Sequence, residues 1–283
     1  MIETVDFKSV IDQYKVIFFD SFGVIKNYKG LVPGIEETFA YLEANQKDYY
    51  IVTNDASRSP LQLAESFSKL GLDIITPDKI ISSGMLAKEY LDLKVPDGIV
   101  AYLGTNDSAH YLDSSGLHVL PLRDINEDNV ERVNALVFLD DEGFDWYQDL
   151  NKAVNLLRRR NIPAIVANTD DAYPLNKQEI AIAIGALAGM IEKITGKKFI
   201  RFGKPDSQMF TFAYDMVREN KSLNKKDILM VGDTLHTDIL GGNKFGLDTV
   251  LVFTGNTLQQ NAETRINATG ILPTYICQAA VLS

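Results

Sequence analysis

The sequence predicts an α/β fold: a parallel-sheet core with a second α/β segment inserted into it. Three observations predict it. Short β-branched and aromatic runs alternate with segments of helical period along the whole chain. The middle of the chain carries a complete rhythm of its own, too long and too regular for a loop. Polar residues also gather where four of the predicted strands end, which is where parallel sheets bind ligands.

The elements follow in order. Val16–Phe19 (VIFF) is the first strand. Leu31–Asn45 has apolar residues at helical spacing and Pro33 at its opening, where a missing N–H costs nothing. Tyr49–Thr53 (YYIVT) is a strand, and Ser59–Leu70 a helix with Pro60 in its first turn and Gly71 past its end. Ile99–Leu103, Leu136–Leu139 and Ala164–Ala167 read as strands, with helices over Trp146–Arg160 and Glu179–Thr195. Phe199–Phe202 is a short strand. Then come a helix over Asp206–Asn220, a strand over Ile228–Val231, a helix over Thr237–Phe245 and a strand over Thr249–Phe253. Residues 1–83 and 202–283 therefore make one discontinuous Rossmann-like core domain, and 84–201 an inserted α/β domain.

Composition narrows the function classes. The chain of 283 residues is 46% hydrophobic and 23% charged, enough apolar material for a sizeable core. Its net charge of -10 argues against a nucleic-acid partner, because backbone affinity needs clustered cations. One cysteine, Cys277, excludes an internal disulfide and zinc-finger spacing, and its apolar neighbours make it a buried thiol. No apolar run approaches the roughly 20 residues of a membrane helix, and MIETVDFKSV lacks a signal-peptide pattern. A soluble, cytoplasmic protein without a membrane partner is the expectation.

The chemistry sits at the strand ends. Asp20 closes the first strand, Thr53-Asn54-Asp55 the second, Gly203-Lys204-Pro205 follows Phe199–Phe202, and Gly232-Asp233 through Asp238 follows Ile228–Val231. Asp20 and Asp233 can chelate Mg²⁺, a hard cation that takes carboxylates, water and phosphate oxygens. Lys204 can keep Asp20 ionised and offset phosphate charge. Thr53 offers a hydroxyl, and the backbone of Asn54 and Asp55 can face a phosphate at a helix start. Arg58 can grip an anion bidentately, or pair with a carboxylate of the inserted domain. The set suits phosphoryl transfer through an aspartyl phosphate, where positioning and charge neutralisation supply most of the catalysis.

These residues resemble the four motifs of the haloacid dehalogenase-like superfamily: Asp20-Ser21-Phe22-Gly23, Thr53-Asn54, Lys204 and Gly232-Asp233 with Asp238. The stretches IVTNDASRS (51–59), ANTDDAYP (167–174), GALAGMIEKITGKKF (185–199) and VGDTLHTDI (231–239) are similar to its class IIA branch of phosphoglycolate, pyridoxal phosphate and p-nitrophenyl phosphate phosphatases. The resemblance implies an α/β cap at 84–201 and a small phosphorylated substrate, such as a sugar phosphate. It implies Asp20 as nucleophile, with Thr53 and Lys204 as its catalytic companions. Asp20, the Phe22 backbone carbonyl and Asp233 would hold Mg²⁺, supported by Asp238. Asn54, Asp55 and Arg58, with Asn168 and Asp170 of the cap, would face the substrate. Members with this cap often associate through it, so a homodimer through the cap is also expected.

Phe22 departs from the pattern. Phosphatases of this family carry a second Asp there, which protonates the leaving oxygen. General acid–base help is typically worth roughly 10²–10⁴ in rate. Three readings stay open: a phosphatase that is slow or uses another proton donor, a non-catalytic phosphometabolite-binding or regulatory protein, and a 2-haloacid dehalogenase. Asp55, His236, Asp170 and Asp171 are the candidate replacement donors. Asp233 and Asp238 argue against the dehalogenase, which needs no Mg²⁺.

Overall fold

The structure, a computed structural model, describes residues 3–113, 116–176, 178–218 and 222–282. The chain divides into two compact units. One takes the stretch up to Thr53, then Leu63–Ile81, then Lys204 onward; the other takes Asn54–Gln62 and Ser82–Gly203.

The first unit is organised by a six-stranded sheet in the order Tyr275–Cys277, Asp248–Val252, Ile228–Gly232, Val16–Phe19, Asp48–Thr53, Ile80–Ser82. From Tyr275–Cys277 across to Asp48–Thr53 every neighbouring pair is parallel. All four residues of Val16–Phe19 are buried, as befits a central strand with both faces covered. Its helices supply Phe7, Ile11, Ile35, Phe39, Leu63 and Phe67 to the apolar cluster around Ile17, Phe19 and Val231. Cys277 is buried, and that burial pushes its thiol up to about 12.

The second unit holds a five-stranded parallel sheet in the order Ile200–Arg201, Ala164–Val166, Val133–Phe138, Ile99–Leu103, His118–Pro121. Helices Trp146–Arg159 and Ile184–Thr195 complete its own core, with Leu157, Ala188 and Ile191 packed near Leu136 and Phe138. No helix among the described residues is long and apolar enough to cross a membrane.

The α/β class and most elements stand within about three residues of expectation, and five details differ. The helix expected over Leu31–Asn45 begins only at Ile35, because Leu31 pairs in the short strand Gly30–Leu31 and the left-handed Gly34 separates Pro33 from the first turn. The helix expected over Glu179–Thr195 begins only at Ile184. Its first part, Ile180–Ile182, pairs antiparallel with Ala172–Pro174, because Ile180-Ala181-Ile182 alternates with the period of a strand. The helix expected over Thr237–Phe245 is preceded by a π-helical turn, Leu235–Ile239, and becomes α only at Leu240. The strand before Lys204 is reduced to Ile200–Arg201 and belongs to the second unit's sheet, so three of the four marked strand ends, not four, share one sheet. The helix Ser207–Arg218 matches the one expected over Asp206–Asn220 up to Arg218; Glu219 and Asn220 lie outside the described residues.

Candidate active site

Parallel pairing positions the first unit's site. Phe19 stands opposite Val231 on one side and Ile51 on the other. Asp20 therefore leaves the sheet between the Gly232-Asp233 end and the Thr53 end, and its N–H donates to the carbonyl of Val231 at 2.9 Å. Thr53 is buried. Asp20, Asp233 and Asp238 each offer an oxygen, and these oxygens lie within 4.8 Å of one another.

Lys204 enters this cluster as its counter-ion. Its Nζ lies 2.6 Å from Asp20 Oδ1 and 2.7 Å from Asp238 Oδ1. Exposure separates the carboxylates: the side chain of Asp20 is 16% exposed, that of Asp238 0%, and Asp233 is 1% exposed. Burial alone would pull the Lys204 ammonium down, but the charges and hydrogen bonds of Asp20 and Asp238 reverse this and hold it above the usual lysine value. Asp233 is pushed well above the usual carboxylate range, first by burial and then by the charges of Asp20 and Asp238.

Three carboxylates with one ammonium leave a surplus of buried negative charge, and such charge persists only when compensated. Asp238 is compensated within the cluster: its Oδ2 accepts from the Thr234 N–H at 3.1 Å, and its Oδ1 lies 2.7 Å from Lys204 Nζ, which leaves Asp20 and Asp233 to share that single ammonium. An all-oxygen donor set with excess negative charge fits a hard divalent cation such as Mg²⁺. Phe22 lies on the loop after Asp20, half-buried, and bridges to Lys26; its side chain brings no titratable group.

A loop that sequence reasoning missed completes the cluster. Thr254-Gly255-Asn256-Thr257 follows the strand Asp248–Val252, and the Asn256 N–H donates to Asp233 Oδ2 at 2.5 Å. Thr234 Oγ1 donates to Asp233 Oδ1 at 3.1 Å and accepts from Asn256 Nδ2 at 2.9 Å. A side chain at Gly255 would collide with the carboxylate of Asp233 and the Gly23 backbone, so the loop can approach only as glycine. The signal was available: this too is a polar strand end of the same sheet.

The remaining expected residues fall in the second unit. Asn54 is buried and donates from Nδ2 to Asp170 Oδ1 at 2.9 Å and Thr169 Oγ1 at 3.3 Å. Asn168 Oδ1 accepts from the Asp170 N–H at 2.9 Å, so both residues belong to one hydrogen-bonded turn. Asp55 Oδ1 accepts from the N–H and hydroxyl of Ser57, and Arg58 lies 3.8 Å from its Oδ2. Asp55 thus caps this turn, not the following helix, which Ser59 caps in a reciprocal pair with Gln62. Asp170 likewise stands committed to Asn54, whereas His236 and Asp171 are exposed. Another carboxylate of this unit, Asp140, was missed: burial first, then the charges of Asp141 and Asp55, push it up to about 6.

An Asp at the end of the central strand, a strand-end Thr and an acidic pair on the same parallel sheet, joined by a buried Lys, are the constellation of a haloacid dehalogenase-like hydrolase. The chain belongs to that family: its model, described as haloacid dehalogenase-like hydrolase, matches residues 17–118, and a HAD-hydrolase-like model matches 201–279. A solved structure described as a possible sugar phosphatase of the HAD superfamily from Cytophaga hutchinsonii is 66% identical, covers 100% of both chains and superposes with a TM-score of 0.96. Chronophin of Mus musculus is 30% identical over 92% of this chain and 88% of its own. An acid sugar phosphatase of Staphylococcus epidermidis is 26% identical over 88% of this chain and 89% of its own. The family expected from the motifs is therefore the family found.

Proposed function

We propose that this protein is an Mg²⁺-dependent phosphatase of a small phosphorylated metabolite, a sugar phosphate or similar phosphomonoester, with residues 84–201 as an inserted cap. The observation that carries the reading is the exposure gradient in the acidic cluster: Asp233 and Asp238 are sealed, and Asp20 alone of the three is open to an incoming phosphate. Relatives described as sugar phosphatases support the class of substrate.

In this reading a carboxylate oxygen of Asp20 attacks phosphorus, the ester P–O bond breaks, and the leaving oxygen takes a proton. Water then cleaves the aspartyl phosphate, restoring the carboxylate and releasing phosphate. Lys204 holds Asp20 ionised beforehand and offsets phosphoryl charge, with Thr53 as a hydroxyl donor at the neighbouring strand end. Asp20, the Phe22 carbonyl and Asp233 would hold Mg²⁺, with Asp238 in support; the ion supplies charge neutralisation of the transferring group. Asn54, Asp55, Arg58, Asn168 and Asp170 would bound the substrate.

Phe22 supplies no proton to the leaving oxygen, so turnover depends on the leaving group. Phosphate release from p-nitrophenyl phosphate and a panel of phosphorylated metabolites, with Mg²⁺ and with EDTA, tests the proposal. Metal-dependent turnover that disappears in Asp20→Asn, with the melting transition retained, supports it. Phe22 also favours a second reading, a non-catalytic phosphometabolite-binding protein. Mg²⁺ binding without turnover of any ester would select it.

A further inference from the structure

The strand-end loop Thr254–Thr257 makes two contacts to the Asp233 side, one direct and one through Thr234. The direct one is a main-chain N–H, which any residue but proline would provide. The other depends on side chains. A threonine hydroxyl has one proton and two lone pairs. When Oγ1 of Thr234 accepts from Asn256 Nδ2, its own proton is directed to Asp233 Oδ1, 3.1 Å away. Each oxygen of Asp233 then receives one donor on a fixed side, and the carboxylate is held in one rotation about its Cβ–Cγ bond.

We infer that Thr234 and Asn256 are positioning residues that fix the orientation of the Asp233 carboxylate toward a divalent cation. The inference rests on the metal reading of the acidic cluster. Neither residue touches substrate in this scheme; both act through Asp233. Asn256 is exposed, so neither core packing nor burial explains its side-chain bond, and Thr234 occupies the position between two members of the cluster in sequence, Asp233 and the π-helical turn that carries Asp238. Partners of this kind, which orient a ligand from behind, typically contribute roughly 10–100-fold in metal affinity or activity.

The test is calorimetric titration of the intact protein with Mg²⁺ alone, beside the Mg²⁺ dependence and substrate KM of phosphate release. Thr234→Val, which removes the hydroxyl but keeps the shape, should weaken Mg²⁺ binding about 10-fold or more. Thr234→Ser should restore it to within about two-fold of the natural protein, since the hydroxyl alone is what the relay uses. Asn256→Ala should weaken binding by several-fold less than Thr234→Val and add nothing when combined with it, because both act through one hydroxyl. Substrate KM measured at saturating Mg²⁺ should stay unchanged in Thr234→Val.

Equal Mg²⁺ affinity in the natural protein and a folded Thr234→Val would overturn the inference while leaving the metal reading intact. Independent, additive losses in the two single variants would overturn the relay. If Thr234→Val fails to fold, Asn256→Ala decides, and unchanged Mg²⁺ affinity there refutes the inference. A natural protein that binds no Mg²⁺ would sink the metal reading and this inference together, a result distinct from the others.

Discussion

Lys204 Nζ and Asp238 Oδ1 lie 2.7 Å apart with both side chains closed to solvent. This ion pair is structural before it is catalytic: Asp238 is sequestered, so Lys204 is the cation that makes its burial tolerable, and the same ammonium reaches Asp20 at 2.6 Å.

Removing Lys204 should therefore harm folding as well as chemistry. Breaking a buried pair by deleting one partner typically costs about 3–5 kcal/mol, because the surviving charge is left uncompensated. Lys204→Ala should lose that order of stability in EDTA and recover part of it when Mg²⁺ is added, since a cation can replace some of the missing charge. Urea unfolding with and without Mg²⁺ reads both. A Lys204→Ala protein as stable as the natural one in EDTA contradicts this account.

How much of this was legible without coordinates follows from what sequence periodicity encodes. Val16–Phe19 and Ile99–Leu103 match their expected bounds because a buried strand is a continuous apolar run between polar ends. The carboxylates and Lys204 were legible because strand ends mark sites. The loop that carries Asn256 was marked as a polar strand end, but its clamp on Asp233 was not legible, since it depends on that loop, more than twenty residues downstream, folding back against the carboxylate. Ile180–Ile182 was misread because three residues of alternation cannot be told from the first turn of an apolar helix, and only the pairing with Ala172–Pro174 settles it. The hydrogen bonds of Asp55 to Ser57 and of Asp170 to Asn54 were equally hidden, because the partner a carboxylate finds inside the fold is not written in its sequence neighbourhood.

Phe22 should limit turnover of esters with poor leaving groups. Phe22→Asp would install a proton donor two residues past the nucleophile, and acid–base help is worth roughly 10²–10⁴. The variant should gain at least about 10-fold in kcat on an alkyl phosphate and much less on p-nitrophenyl phosphate, whose leaving group needs little protonation. Equal gains on both substrates, or none on the alkyl ester, would show that proton supply is not what Phe22 restricts.

Asp140 makes stability fall with rising pH over a defined window. Burial and the neighbouring charges raise its carboxyl from the ordinary 3.8 to about 6 in the folded protein, so between these values the folded chain holds the extra proton. Stability then decreases as pH rises through the window. Two pKa units correspond to about 2.7 kcal/mol, and partial solvent access reduces the expectation to about 1 kcal/mol. Asp140→Asn, which mimics the protonated group, should match the natural protein at pH 4 and exceed it at pH 8. Chemical denaturation at the two pH values reads the difference, and a constant offset between the proteins would remove Asp140 as the cause.

Gly255 should be irreplaceable for the metal site in a way that a glycine remote from the acidic cluster is not. An added Cβ there meets the Asp233 carboxylate on one side and the Gly23 backbone on the other. Asp233 cannot swing away, because both its oxygens accept hydrogen bonds, and the Gly23 backbone is itself anchored by its N–H to the Lys26 carbonyl at 2.7 Å. The collision is an overpacking of the kind that costs about 1–3 kcal/mol, and it falls on a proposed metal ligand. Gly246 provides the contrast. Its φ is +92°, so an alanine there is strained by its backbone, yet the added Cβ would approach only the Lys225 side chain. Both Gly255→Ala and Gly246→Ala should lower the melting temperature, but only Gly255→Ala should weaken Mg²⁺ binding, by about 10-fold or more. Calorimetric titration of both variants with Mg²⁺ separates general destabilisation from displacement of Asp233. Equal Mg²⁺ affinities in the two would mean that Asp233 is not held where the loop packs against it.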